Sequence, residues 1–221
     1  MIKVLKNTFL ALSLMLFAMP AQADMSDLNG PFLAVSVGVG GAIVDGKYTD
    51  NEAVATSATG GGVAQIGGYE GGYTYATDRF MISVGAAAHP GEIELADIDS
   101  ESANEDITIT ADGFQTVFAR LGIAISDSTV FFGQAGQTDV DLKYTGTNVT
   151  GTKPSGISGD NYAVGFISSL ANGMFVKSEV GGHQFDKITL NDINSNSGSA
   201  GGDVEATPEV IYGLISLGYT F

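Results

Sequence analysis

Glu209-Val-Ile-Tyr-Gly-Leu-Ile-Ser-Leu-Gly-Tyr-Thr-Phe221 closes the chain. Ile211, Gly213, Ile215, Leu217, Tyr219 and Phe221 fall at every second position. Side chains alternate faces along a strand, so these six share one side. The other side, with Tyr212, Leu214, Ser216, Gly218 and Thr220, is mixed and more polar. An apolar strand ending a water-soluble sheet invites pairing with other chains. In a closed membrane barrel the last strand pairs with the first and turns its apolar face to lipid. The alternative is the final strand of a secreted β-sandwich.

The opposite end fits export. Lys3 and Lys6 precede an apolar run over 8–19, and Ala21-Gln22-Ala23 is a small-x-small ending. This reads as a signal peptide over 1–23, cut after Ala23. The domain that remains is 24–221. The leader's apolar run is too short to span a bilayer as a helix, and no later stretch reaches the ~18 to 20 apolar residues that a span needs. The chain has no cysteine, so no disulfide framework supports the fold. Without Lys3 and Lys6 it carries 7 basic residues against 25 acidic ones. Such a balance repels nucleic acid and excludes it as a partner.

Eight alternating segments separated by turn signals run between these ends. The first, 31–43, sets Leu33, Val35, Val37, Val39 and Ile43 on one face. The second, 63–76, aligns Tyr69, Gly71, Tyr73 and Tyr75 against Gly68, Glu70, Gly72 and Thr74. The third, 80–88, groups Phe80, Ile82, Val84 and Ala86. The fourth, 113–125, sets Val117, Ala119, Leu121 and Ile123 against Thr116, Phe118 and Arg120. The fifth, 129–144, has no clear parity, and a bulge near Gln137 would switch its faces. The sixth, 161–170, aligns Tyr162, Val164, Phe166 and Leu170. The seventh, 174–190, opposes Met174, Val176 and Val180 to Lys177, Glu179, Gly181 and His183. The closing strand is the eighth.

The connections alternate in length. Tight turns at 77–79, 126–128 and Asn172-Gly173 separate polar segments at 44–62, 89–112, 145–160 and 191–208, which read as long loops. Asn-Gly favours positive φ at both central positions of a hairpin turn. The pattern predicts an all-β, eight-stranded antiparallel up-and-down transmembrane barrel, with short turns on the periplasmic side and long loops outside.

With Tyr219-Thr220-Phe221 at its end, the chain resembles the small outer-membrane β-barrels of the OmpA membrane-domain, OmpX/Ail and opacity-protein type, a group that shades into the porin family. The resemblance implies a place in the outer membrane of a Gram-negative-type bacterium. It implies that Leu217, Tyr219 and Phe221 form the signal read by the barrel-assembly machinery. It also implies contact with outer-membrane lipid and lipopolysaccharide, and a structural or surface-interaction role, as in envelope integrity or adhesion. A host or surface ligand would then meet the four loops. The alternatives are a narrow porin-like channel for ions or small solutes and a lipid-modifying enzyme.

An eight-stranded barrel has an interior just wide enough for side chains to fill it. Glu70, Arg120, Lys177 and Glu179, with Gln134, face that interior, and buried charges need partners. An interior polar network of these residues is expected, as a plug or as the gate of a narrow ion path. Tyr69, Tyr73, Tyr75, Phe80, Tyr162, Phe166, Phe175, Tyr219 and Phe221 are expected at strand ends or facing lipid, as interface girdles.

Chemistry elsewhere is sparse. His183 shares a face with Glu179, and Ser168 and Ser169 lie on a neighbouring strand, but no recognisable hydrolase motif joins them. No catalytic residues are assigned, and the expectation is a non-enzyme without a cofactor. Asp192, Asn194, Asn196 and Asp203 hold the first, third, fifth and twelfth positions of a calcium loop. Ser197 stands where the turn glycine belongs, so the metal candidacy is weak and the plain alternative is a solvated loop. The glycine clusters at 60–62 and 67–68 precede or lie in strands, with no helix to hold a phosphate.

Overall fold

The computed structural model describes residues 24–49, 55–100, 105–146, 155–193 and 202–221. The expected leader, 1–23, lies outside them. Ten strands follow one another: β1 (Gly30–Thr49), β2 (Ala55–Gly60), β3 (Val63–Ala76), β4 (Phe80–Ser100), β5 (Glu105–Ala124), β6 (Thr129–Gly146), β7 (Gly156–Ser169), β8 (Met174–Phe185), β9 (Ile188–Ile193) and β10 (Gly202–Thr220). Each is antiparallel to its neighbours, and β1 pairs with β10 from Phe32↔Thr220 to Thr49↔Asp203. That pairing closes the wall.

The wall nonetheless has eight staves. β2 and β3 both pair with β1, one above the other, and are parted at Gly61-Gly62. β8 and β9 both pair with β10, parted at Asp186-Lys187. The single seventh strand expected over 174–190 is therefore a broken one. Gly61 has φ +152, and a side chain there would collide with the Ala42 carbonyl.

Alternation sets the two faces. Leu33, Val35 and Val37 are 61%, 64% and 66% exposed, while Ala34 between them is buried. Each such aliphatic side chain left in water forgoes about 1.5–3 kcal/mol of burial, so the outer wall fits lipid. Along β10 the apolar face runs from Phe221 to Ile211. Ten residue steps at ~3.3 Å, tilted ~40°, cover roughly 25 Å, the height of an outer-membrane apolar band. Above it every stave turns polar on its outer face, at Asp45, Gln65, Glu92, Gln115, Gln137, Asp160, Gln184 and Glu209, all exposed. Gln137, Asp160, Gln184 and Glu209 are successive cross-strand partners.

The segments expected as long loops are largely strand. β1 continues to Thr49 and β4 to Ser100, and β5 starts at Glu105. Above the polar ring the pattern inverts: Glu92 and Glu94 face out while Ile93 and Leu95 are buried. A strand rising clear of lipid needs a wet outside and a dry inside, and its charges disguised it as loop. The tips, 50–54, 101–104, 147–154 and 194–201, lie outside the described residues.

β6 has a fixed facing. Val130, Phe132, Gln134, Thr138 and Val140 point inward, and the register passes Gln137 without a break. The bulge lies on the neighbour instead, between Asp112 and Gln115 of β5, where Gly113 has φ +67. At the short-turn end the Asn172-Gly173 turn has φ 66 and 76, as its sequence requires. Phe175 corrects the aromatic girdle: it is buried inside the barrel, edge-on to Phe32 at 6.0 Å. Its odd parity with Lys177 and Glu179 turns it inward.

The mouth at the short-turn end is filled. A short 3-10 turn, Met25–Leu28, inserts Met25 and Leu28 among Phe32, Met81, Phe118, Phe132 and Phe175. Asp24 caps it by accepting from the Ser26 amide at 3.0 Å. Asn29 ties it to the wall, donating to the Ala76 carbonyl at 2.9 Å and accepting from the Ala76 amide at 2.6 Å.

Candidate functional site

Just above this plug the lumen carries four paired charges. Glu70 lies on β3, Arg120 on β5, and Lys177 and Glu179 on β8, and all are at most 5% exposed. Arg120 Nη2 donates to Glu70 Oε2 at 2.6 Å. Lys177 Nζ donates to Glu70 Oε2 at 2.8 Å and to Glu179 Oε2 at 2.9 Å. Two positive and two negative groups leave no net charge, the condition under which buried ions are tolerated.

The network extends by neutral groups. Arg120 Nε donates to Gln134 Oε1 at 2.6 Å, and Gln134 Nε2 donates to Asn161 Oδ1 at 2.7 Å. Asn161 Nδ2 in turn donates to the Tyr212 hydroxyl at 3.0 Å. The guanidinium carbon of Arg120 sits 4.0 Å from the Phe118 ring centroid, between the polar layer and the aromatic plug. The structure thus brings Glu70, Gln134, Arg120, Lys177 and Glu179 into one layer across the lumen.

The wall beside this layer is open. β3 and β4 pair from Ala76↔Met81 up to Tyr69↔Ala88 and no further. Above that pair, β3 from Val63 to Gly68 is paired to β1 alone, and the upper part of β4 is paired to β5. The strands approach again where a Cβ on Gly62 would lie 3.0 Å from the Glu94 carbonyl oxygen. The window is therefore bounded below by Tyr69 and Ala88 and above by Gly62 and Glu94. Pro90 lies in it; lacking an N–H, proline suits a strand edge that has no partner. The β4 register against β5 also shifts between His89 and Glu92.

Behind the window lies a cavity of about 20 Å³, lined by Gln65, Ile66, His89, Ile93, Phe114, His183 and Tyr212 among others. That is room for about one water molecule. The His89 ring packs on Gly68, where any side chain would collide with it. Above, the lumen is apolar, with Val44, Leu95, Ile109, Val140, Leu142 and Ile157 in one buried cluster. Gln65 and Glu92 belong to the polar ring, so the window opens at the top of the lipid-facing band.

The sequence contained signals for this window, Gly67-Gly68 and Pro90-Gly91, but Pro90 fell inside an assumed loop. Outside the band, Lys143 on β6 bridges Glu92 on β4 at 2.6 Å and Asp112 on β5 at 2.7 Å. Hydrogen bonds to Asp112 and Glu92 raise the Lys143 pKa.

The hydrolase residues do not meet. Ser168 bonds Thr129 near the short-turn end, while His183 bonds Thr138 towards the opposite end of the lumen. Among the described residues no cluster of metal-binding side chains occurs. Asn194 and Asn196 of the calcium candidate lie outside the described residues, and of the Asp192 and Asp203 side chains nothing is described.

No family model and no curated protein matches the chain. Solved structures do. The outer membrane protein OprG from Pseudomonas aeruginosa aligns over 90% of this chain and 100% of its own, with TM-score 0.59 and 14% identity. The chain has the fold of the small outer-membrane β-barrels. Ail, the attachment invasion locus protein of Yersinia pestis, covers 87% of this barrel and 99% of its own chain at 11% identity, with TM-score 0.41. Neisserial surface protein A covers 85% and 99% at 11% identity, with TM-score 0.36. At these identities the likeness concerns the outer-membrane barrel fold.

Proposed function

We propose that this outer-membrane barrel gives small apolar molecules a sideways route between the lipid and the apolar upper part of its lumen. One observation carries the reading: β3 and β4 part at the top of the apolar band. A barrel in a membrane ordinarily leaves no edge unpaired, because unpaired backbone groups are costly there. An opening at the lipid boundary therefore calls for a use. The apolar upper lumen and the cavity behind His89 support passage of apolar solutes. A straight axial pore has against it the ion-paired layer and the aromatic plug below.

The test uses the absence of native cysteine. Gln65→Cys and Gly91→Cys line the cavity from β3 and β4, so a reducible bis-methanethiosulfonate cross-linker bridging them would staple the window. Entry of the fluorescent apolar dye N-phenyl-1-naphthylamine is followed in cells that expose the protein. Cross-linking is expected to slow entry, and reduction of the linker to restore it. Entry that ignores a demonstrated cross-link would remove the port.

A structural or surface-interaction role is the second reading. Its support is the wall that continues past the polar ring with Glu92, Asp112 and Asp141 on its outer side. On either reading, export by the 1–23 leader is part of the proposal. So are contact with lipid and lipopolysaccharide, and assembly through Leu217, Tyr219 and Phe221. Those three side chains face outward at 47%, 46% and 69% exposure.

A further inference from the structure

Both histidines of the chain, His89 and His183, line the small cavity behind the window. They are set differently. His183 is held: its Nδ1 lies 2.9 Å from Thr138 Oγ1 and 3.3 Å from Asn161 Nδ2. Its ring stands among others, 5.6 Å from Phe114, 5.8 Å from Phe185 and 5.0 Å from Tyr212, centroid to centroid. His89 stands at the sill, half-buried against Gly68. Its ring makes no hydrogen bond to another described residue.

These features constrain a guest. Ring faces favour a flat guest, because aromatic pairs gain stacking or edge contacts beyond area burial. A polar edge without a protein partner favours a guest that supplies one. An alkane pressed against His89 would strip water from its nitrogens and return nothing. Sites built around a hydrogen bond reject analogues that lack it far more strongly than apolar pockets reject a missing methylene.

We infer that the port selects flat, ring-bearing molecules carrying one hydroxyl or carbonyl group. His89 is the hydrogen-bonding residue and His183 the stacking one. This rests on the sideways-port reading and names the substrate class of that same opening. The cavity is closed down to about 20 Å³, so a guest enters by displacing the His89 ring from the sill.

The full mature chain in lipid nanodiscs provides the test, with empty nanodiscs as the reference for partitioning into lipid. The probes are 2-naphthol, naphthalene and decane. Saturable 2-naphthol binding is expected, about tenfold tighter than naphthalene, the worth of one hydrogen bond. Decane is expected to be the weakest. In His89→Leu the 2-naphthol and naphthalene affinities become equal, and in His89→Gln the preference survives. A heat-dependent shift in electrophoretic mobility shows that each variant is folded. If His89→Leu fails to fold, the wild-type ratio of 2-naphthol to naphthalene decides.

Equal affinities in the wild type would overturn the inference, as would no saturable binding of any probe. A tenfold preference kept in folded His89→Leu would do the same. If the dye still passes a reduced port and not a stapled one, the route stands and its selectivity falls. If the dye ignores the staple, both fall.

Discussion

Tyr69 and Ala88 are the last cross-strand partners that β3 and β4 share. Below them the wall is continuous; above them both strands keep their outer neighbours and lose each other. Ala88 is followed at once by the His89 register shift and by Pro90, which has no N–H to give to β3. The opening is thus written into the covalent chain.

Gly68 is the first residue above that pair on β3, and its missing side chain makes room for His89. A methyl there would also sit 2.6 Å from the backbone oxygen of Ala88, which cannot swing aside. Gly68→Ala is therefore expected to destabilise the barrel by about 1–3 kcal/mol, the usual cost of overpacking. Urea unfolding in lipid vesicles measures it. A stability equal to wild type would mean that the sill is looser than described.

Arg120 donates to Glu70 and Gln134 and covers Phe118. Removing it leaves two carboxylates and one ammonium in a closed space. Arg120→Ala is expected to cost about 3–5 kcal/mol, because a buried charge loses its partner. The double variant Glu70→Ala, Arg120→Ala is expected to cost less than the two single losses added together, since they share one network. Planar-bilayer recordings of folded Arg120→Ala are expected to show no conductance, because Phe32, Phe132 and Phe175 still fill the mouth. A steady current would restore the gate reading of this layer.

Lys143 bridges Glu92 and Asp112 in the open, at 51% exposure. Its raised pKa means that the folded state holds this proton more tightly than the unfolded one. Its contribution is complete below the ordinary lysine pKa of 10.5 and is lost as pH rises through the higher folded value. Lys143→Met is therefore expected to show a small deficit that is constant from pH 6 to 9 and shrinks at more alkaline pH. Salt is expected to shrink it too, since exposed pairs are screened. Urea midpoints at several pH values test this, and a deficit growing with pH would contradict it.

The alternation of Leu33, Val35 and Val37, the turn at Asn172-Gly173 and the terminal Tyr219-Thr220-Phe221 made the barrel legible, because lipid demands a strict two-residue period. Glu70, Arg120, Lys177 and Glu179 were legible as inward groups by the same parity. The wall above the lipid was not. There Ile93 and Leu95 alternate with Glu92 and Glu94, and the charges read as loop. The parity of β6 was hidden because its outward face passes from Phe131 through Gly133 and Ala135 to Gln137 and Asp139, apolar in lipid and polar in water. The window needs register: only the pairing of β3 with β4 shows where Pro90 leaves an edge unmatched.

Hydrogen exchange of the backbone amides, with the protein folded in lipid bilayers, decides whether the wall between β3 and β4 is open. Strong protection is expected for β3 from 69 to 76. Over 63–68 only the amides that bond β1 are protected, and the alternate ones facing β4 exchange fast. Uniform protection from 63 to 76 would mean an unbroken wall, and the port would have to be abandoned.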